Sequence, residues 1–229
     1  EALKSAGQLP VSAEQLPDAT VLMEQILERA EARYREQLAP AIERVWRDGI
    51  EEISGDLRGW LEQLAEDRDW EPIHFELAFG IRRADRDRGS RLEPVKLRCG
   101  ITLRGAIDSV ERARFGGEET LRATDYKTGA PLDVRRAALP ENRGRFSIRG
   151  GRTLQPLLYA EALENLFPTA KISGGRLAYS TRRGEYREYF VPLDDYTRQS
   201  VQLFSDTLRS LVDGAFLPAA PEPRGCEYC

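Results

Sequence analysis

The sequence predicts an α/β protein, with a mixed central sheet flanked by helices and a helical segment at the N-terminus. Three observations support this class. Apolar residues recur at helical spacing between residues 20 and 65. Near residue 73 the pattern changes to the alternation of apolar and polar residues that is typical of half-buried strands. From residue 154 onward a helix, a strand pair and a second helix follow one another, which indicates an α/β arrangement.

The N-terminal helical pattern is interrupted by Pro40, which cannot donate the hydrogen bond that a helix interior needs. Apolar residues such as Val21 and Leu27 lie on one face before the proline, and Trp46 and Leu61 continue a face after it. Heptad-like spacing keeps a coiled coil open as an alternative. We favour a pair of packed helices.

The later elements are bounded by turn residues and changes of period. Gly100 and Gly105 are candidate bend points in the second of the predicted strand regions. The predicted strands cover 73–79, 95–110 (one long strand or a bent pair), 119–127, 175–181 and 185–191, and the predicted helices cover 154–166 and 193–212.

Composition excludes several classes of protein. Of the 229 residues, 41% are hydrophobic and 31% are charged, which is typical of a globular domain with a core. No apolar run approaches the roughly 20 residues that cross a bilayer, and the N-terminus lacks the layout of a signal peptide. We therefore expect a cytoplasmic protein with no membrane association. Three cysteines are too few for a disulfide scaffold.

Charge is distributed unevenly along the chain. Residues 1–71 carry 17 acidic and 8 basic side chains, whereas the whole chain has a net charge of −4. An arginine-rich stretch with Gly and Pro could bind a phosphate backbone, although charge alone favours a solvated loop. The arginines of this stretch are Arg135, Arg136, Arg143, Arg145, Arg149 and Arg152.

Two short segments carry residues suited to metal chemistry. Asp108 ends Gly-Ala-Ile-Asp inside a predicted strand, and Asp125 and Lys127 lie in Thr-Asp-Tyr-Lys-Thr-Gly at the end of another. Two carboxylates on adjacent apolar strands repel each other, and a divalent cation removes that repulsion. Lys127 follows Asp125 by two residues, so both side chains share one strand face. An ammonium there could orient or help deprotonate an attacking water, or stabilise charge on phosphorus.

These segments resemble the RecB-like nucleases of the PD-(D/E)XK superfamily. A third motif of that family, Q-x-x-x-Y, is present as Gln155 and Tyr159, and the three motifs occur in family order. The family includes nuclease domains of RecBCD and AddAB helicase–nucleases and CRISPR-associated relatives. The resemblance covers about residues 73–229. It implies a restriction-endonuclease-like core that hydrolyses phosphodiester bonds in DNA with Mg²⁺ or Mn²⁺.

The resemblance also implies roles for individual residues. Asp108 and Asp125 match the metal-binding acids, the backbone carbonyl of Tyr126 matches a further metal ligand, and Lys127 matches the catalytic lysine. Gln155 and Tyr159 match the motif that supports the catalytic site and contacts DNA. We predict a helical segment over 1–70 as part of the nuclease domain, and the nuclease core over 71–229.

The sequence departs from the family at its start. The family usually carries a histidine on a helix of pattern G-x-x-x-H-x-x-L-E. The single histidine of this chain, His74, lies in a predicted strand and is interpreted as a strand surface residue. We therefore expect a fragment that begins just after that helix and is weak or inactive by itself. Glu76, which alternates with core residues, is a second-rank candidate for the site.

Cys226 and Cys229 form a C-x-x-C pair, which suits a zinc or iron–sulfur site, although either site needs about four ligands. AddB-type and CRISPR-associated relatives hold a [4Fe–4S] cluster with one distant cysteine and three near the C-terminus. We expect such a cluster in a longer parent protein and not in this chain. Cys99 is expected to be a small core residue.

The function that follows is the nuclease domain of an AddB-like subunit that processes double-strand breaks with a helicase partner. The chain has no G-x-x-x-x-G-K-[ST] phosphate loop, so the helicase activity itself lies elsewhere. One alternative is a DNA-end binding module of the same fold that does not cleave. A second alternative is a CRISPR-associated nuclease.

Overall fold

A computed structural model describes residues 1–67, 69–83, 87–131 and 154–215 of the chain. Its helices, in chain order, are α1 (Ala2–Ser5), α2 (Leu16–Leu38), α3 (Glu43–Glu66), α4 (Leu154–Leu166) and α5 (Asp195–Asp213). Its strands are β1 (Glu71–Phe79), β2 (Val95–Lys96), β3 (Thr102–Leu103), β4 (Gly105–Phe115), β5 (Glu118–Lys127), β6 (Lys171–Tyr179) and β7 (Glu188–Pro192).

The central sheet has five strands in the order β1-β4-β5-β6-β7. Only the β5–β6 pair is parallel, whereas β1–β4, β4–β5 and β6–β7 are antiparallel. The crossover between the parallel strands includes α4, as a parallel connection requires. The predicted α/β class with a mixed sheet flanked by helices is confirmed.

The region predicted as one long strand or a bent pair is divided more finely. Strands β2 and β3 form a separate two-stranded ribbon, and the long strand β4 begins at Gly105. The chain reverses between β2 and β3 through a turn in which the Gly100 amide donates to the Leu97 carbonyl at 2.9 Å. Gly100 has φ of 85°, a backbone conformation that glycine adopts without the steric cost of a Cβ atom.

Two apolar clusters hold the described elements together. The larger lies between the sheet and α4, with Leu121, Leu157, Leu163 and Val201 among its buried members. Cys99 belongs to this cluster and is 4% exposed, so its predicted place in the core is confirmed. The smaller cluster joins the N-terminal helices to one another around Leu61.

A network of charged side chains lies between α3 and the sheet. Glu111 on β4 is 1% exposed and accepts hydrogen bonds from Arg122 at 2.6 Å and from Arg176 at 2.7 Å. Asp67, at the end of α3, accepts from both of these arginines. Arg176 also donates to the Thr124 hydroxyl at 2.9 Å. The C-terminal end of α3 is therefore tied to the sheet by partly buried ion pairs.

None of the helices in the described part of the chain is long and apolar enough to cross a membrane.

Candidate active site

Asp108 and Asp125 lie side by side on neighbouring strands. The β4–β5 register pairs Ser109 with Thr124, and the next position along both strands holds the two aspartates. Residues opposite each other in an antiparallel pair have Cβ atoms about 5 Å apart. The Asp108 Oδ2 atom accepts a hydrogen bond of 2.8 Å from the backbone amide of Tyr126, which fixes its carboxylate against the end of β5.

Asp125 is a buried carboxylate with one close cationic partner among the described residues. It is 4% exposed, and its Oδ2 atom lies 2.5 Å from Lys127 Nζ. That oxygen is itself buried and accepts no hydrogen bond of normal geometry from any described residue. Burial raises the pKa of Asp125 above its ordinary value, the nearby Asp108 raises it further, and Lys127 opposes both effects. The described residues therefore compensate its ionised form incompletely.

Helix α4 supplies the remaining candidate residues. Lys127 Nζ donates to Gln155 Oε1 at 3.2 Å, and Gln155 Nε2 donates to the Tyr159 hydroxyl at 3.3 Å. Burial raises the pKa of Tyr159, and the charges of Asp125 and Asp108 contribute in the same direction. The structure thus brings the lysine, the glutamine and the tyrosine into one hydrogen-bonded chain beside the two aspartates.

Gly105 lies beside the tyrosine of this chain. A Cβ atom built on Gly105 would lie 3.4 Å from the Tyr159 hydroxyl and 3.7 Å from the Phe79 ring. The Phe79 and Tyr159 rings already meet edge to face, with centroids 6.3 Å apart. These are ordinary van der Waals distances, so the space does not require a glycine; Gly105 is predicted as a bend point, and β4 begins at this residue.

The oxygen donors at this position suit a hard divalent cation. Two carboxylates and a backbone carbonyl are the ligand types that Mg²⁺ takes, with water and substrate oxygens completing its coordination. The buried Asp125 Oδ2 without a normal hydrogen bond is the atom that such an ion would satisfy. Within the described ranges no group of three or more His, Cys, Asp or Glu side chains converges, so the protein ligands would be few.

Glu76 and His74 occupy neighbouring positions of β1 but have partners of their own. Glu76 stands opposite Asp108 in the β1–β4 register, yet its φ of 53° is unusual for a strand, and its carboxylate binds Arg83 at 2.5 Å. His74 is half-buried rather than a surface residue: its Nδ1 atom lies 3.0 Å from Asp87 Oδ1 and its ring packs on Phe167.

Two groups of candidate residues fall outside the described part of the chain. They are the arginines of the basic stretch (Arg135, Arg136, Arg143, Arg145, Arg149 and Arg152) and the cysteines of the tail (Cys226 and Cys229).

The fold and the site define a restriction-endonuclease-like protein: a mixed sheet with paired acids on adjacent strands, a lysine beside them and a supporting helix. The model of the PD-(D/E)XK nuclease superfamily matches residues 1–229, and the chain belongs to this superfamily. Its members are generally metal-dependent nucleases. A comparison with curated proteins gives no match.

Proposed function

We propose that this chain is a metal-dependent deoxyribonuclease that hydrolyses phosphodiester bonds with Mg²⁺ or Mn²⁺. The observation that carries the proposal is the position of Lys127, 2.5 Å from the buried Asp125 and hydrogen-bonded to Gln155. A buried acid with a raised pKa next to a cation and a second acid is typical of sites that perform chemistry. The same aspartate–lysine pair at a solvated strand end would lack the burial that raises the pKa of Asp125.

Each residue has a distinct role in this proposal. Asp108, Asp125 and the Tyr126 carbonyl hold the metal ion, which when bound supplies Lewis acidity at the phosphoryl oxygen. Lys127 positions the attacking water or stabilises the negative charge that develops on the phosphate. Gln155 orients the ammonium of Lys127 through their 3.2 Å hydrogen bond, and Tyr159 orients Gln155 in turn.

The biological setting that we propose is an AddB-like subunit that processes double-strand breaks in the cytoplasm together with a helicase partner. The grounds are the three motifs in family order. In that setting Cys226 and Cys229 would contribute to a [4Fe–4S] cluster of a longer protein, and the arginines between 131 and 152 would bind DNA. A CRISPR-associated nuclease with the same motifs is the second setting, and the site chemistry is identical in both.

A cleavage assay tests the proposal. A labelled duplex with single-stranded overhangs is incubated with protein in Mg²⁺, in Mn²⁺ and in chelator. We expect metal-dependent cleavage that falls at least about 10²–10³-fold in Asp125→Ala and in Lys127→Ala, since each change removes a group that acts in the transition state. DNA binding should change little, because neither side chain is needed for general contacts with the phosphate backbone.

The cleavage rate of the 229 residues alone should be low, because their only histidine is bonded to Asp87 and not available to the site. The variants are therefore compared in this chain and in a longer protein that contains it. Cleavage that persists in Asp125→Ala would refute the mechanism. DNA binding without metal-dependent cleavage in either protein would favour the non-cleaving DNA-end binding module.

A further inference from the structure

The turn between β6 and β7 lies next to the candidate catalytic residues. Strands β5 and β6 are parallel and pair Lys127 with Tyr179, so their C-terminal ends reach the same edge of the sheet. The amide of Ser180 donates to the Lys127 carbonyl at 3.1 Å, and the Thr181 hydroxyl donates to the Thr128 carbonyl at 3.2 Å. Residues 181–187 are therefore held directly beside the end of β5.

The same turn is anchored on helix α3. The amide of Arg182 donates to Asp56 at 2.9 Å, and its guanidinium lies against Gly55, where a Cβ atom would be 2.5 Å away. The Tyr186 ring occupies the space over Gly59, where a Cβ atom would overlap its hydroxyl. Two glycines one helical turn apart thus admit the two side chains that fix the turn.

Arg183 stands between these anchors and has no ionic partner among the described residues. Its neighbours are already engaged, because Arg182 pairs with Asp56 and Arg187 pairs with Glu185 at 2.6 Å. Arg183 is exposed at the edge that carries Lys127. Its position is set by a backbone in which Glu185 and the next residue have φ of 55° and 49°, a strained conformation of the kind that clusters at functional sites.

Two more exposed arginines lie at this edge on the other side of the aspartates. Strand β1 ends at Phe79, which pairs with Gly105 at the start of β4. Arg82 follows β1 and Arg104 precedes β4, and both side chains are exposed without an ion pair to any residue in the described ranges. Because the sheet order is β1-β4-β5-β6-β7, the paired aspartates on β4 and β5 lie between Arg82 and Arg183, and Arg104 lies at the start of the strand that carries Asp108.

We infer that Arg82, Arg104 and Arg183, together called the arginine track, bind the phosphate backbone of DNA on both sides of the scissile bond. The inference rests on the proposed nuclease function. Strands β1 and β6 are three strand spacings apart, about 14 Å. Measured along the helix axis, that distance corresponds to about four base-pair steps of B-form DNA. Unpaired arginines at this spacing provide charge to the backbone without reading bases.

Salt-dependent DNA binding tests the arginine track. Binding of a labelled duplex is measured in Ca²⁺ for the wild type, Arg183→Ala, the triple alanine variant of the track, and Arg114→Ala. Arg114 is a matched control, since it is exposed at the opposite end of β4 and its loss removes the same charge. Equal thermal unfolding of the four proteins shows that the changes are local.

We expect Arg183→Ala to raise Kd about three- to tenfold at low salt. The slope of log K against log salt should fall in magnitude by about 0.9 in Arg183→Ala and by about 2 to 3 in the triple variant. Arg114→Ala should change the slope by less than about 0.3. Where cleavage is measurable, KM should rise in Arg183→Ala while kcat is kept.

The outcomes separate this inference from the proposed function. Equal slopes for Arg183→Ala and Arg114→Ala, or no DNA binding by the wild type, would overturn the arginine track whatever the cleavage result. A reduced slope without metal-dependent cleavage in the wild type would support the track and refute the nuclease mechanism. A reduced slope with cleavage would support both.

Discussion

The two faces of strand β5 carry two charged clusters, and the clusters differ in how completely their charges are paired. Toward α3, Arg122 and Thr124 join a network of arginines and acids, and Tyr126 packs edge to face on Trp60 with ring centroids 5.9 Å apart. Toward α4, Asp125 and Lys127 face Gln155 and the neighbouring Asp108. The alternation of side chains along one strand therefore places a structural cluster and the candidate catalytic cluster back to back.

The difference lies in how fully the charges are compensated. In the network on the α3 side, Glu111 accepts from two arginines, and each arginine also binds at least one other acceptor. On the α4 side, among the described residues, Asp125 pairs with one lysine and Asp108 accepts from a backbone amide, and burial raises the pKa of Asp125. A site that remains short of positive charge can bind a cation, whereas a site that is already balanced contributes to folding.

The largest effect that would test this comparison is on stability. Glu111→Ala removes the carboxylate that accepts hydrogen bonds from both Arg122 and Arg176. Each of these two buried guanidinium groups then loses one anionic partner. Breaking a buried ion network by removing one partner costs about 3–5 kcal/mol. We expect a loss of that size in the free energy of unfolding, measured with urea.

Asp125→Asn is the matched change on the other face, because it also neutralises a buried strand carboxylate. It removes a group whose ionised form is disfavoured, so its loss of stability should be under about 1 kcal/mol while cleavage is lost. Equal losses in the two variants would show that both clusters are structural.

Much of the candidate catalytic face could be predicted from the sequence, because its geometry is local. Residues two apart on a strand share a face, and residues four apart on a helix do, so the positions of Lys127 and Gln155 relative to their neighbours followed from spacing. The pairing of Asp108 with Asp125 required only that two consecutive strands form a hairpin, which is the commonest connection.

The network on the α3 side could not be predicted, because its partners are far apart in sequence. Arg176 reaches Glu111, which is 65 residues away, and Asp67, which is 109 residues away. Polar residues within apolar strands indicate that partners exist, but they do not say which ones. The short β2–β3 ribbon was missed for a related reason, since two-residue strands leave no periodic pattern.

A smaller effect tests whether the two ends of α3 differ in how tightly they are packed. Gly59 lies against Tyr186 at the sheet end, whereas Gly49 has nothing within 4 Å of a built Cβ atom. Gly59→Ala should destabilise the protein by about 1–3 kcal/mol through overpacking. Gly49→Ala should stabilise it by about 0.5–1 kcal/mol, because alanine is the better helix former. Thermal unfolding measures both, and stabilisation by Gly59→Ala would show that the turn is not seated on α3.

The smallest effect concerns Glu161, a buried acid on the α4 side that differs from Glu111 in its partners. It is 2% exposed, and its Oε2 atom accepts no hydrogen bond from any described residue. Burial raises the pKa of Glu161, and the nearby Arg198 opposes that shift only in part because Arg198 is bound to Glu164 by two hydrogen bonds of 2.7 Å.

A raised pKa in the folded state means that folding favours the protonated form of Glu161. This contribution to stability is complete below the ordinary carboxyl pKa of 4.5 and is lost as pH rises through the raised value. We therefore expect the unfolding free energy of the wild type to fall with increasing pH relative to that of Glu161→Gln, whose amide does not titrate. Urea unfolding between about pH 4 and pH 8 measures the difference, and the gap should grow and then level off. Glu164→Gln serves as the control on the same helix, since it breaks the pair with Arg198 and should lower stability at neutral pH. A constant difference between wild type and Glu161→Gln across this range would show that the pKa of Glu161 is the same in the folded and unfolded states and that Arg198 offsets the effect of burial fully.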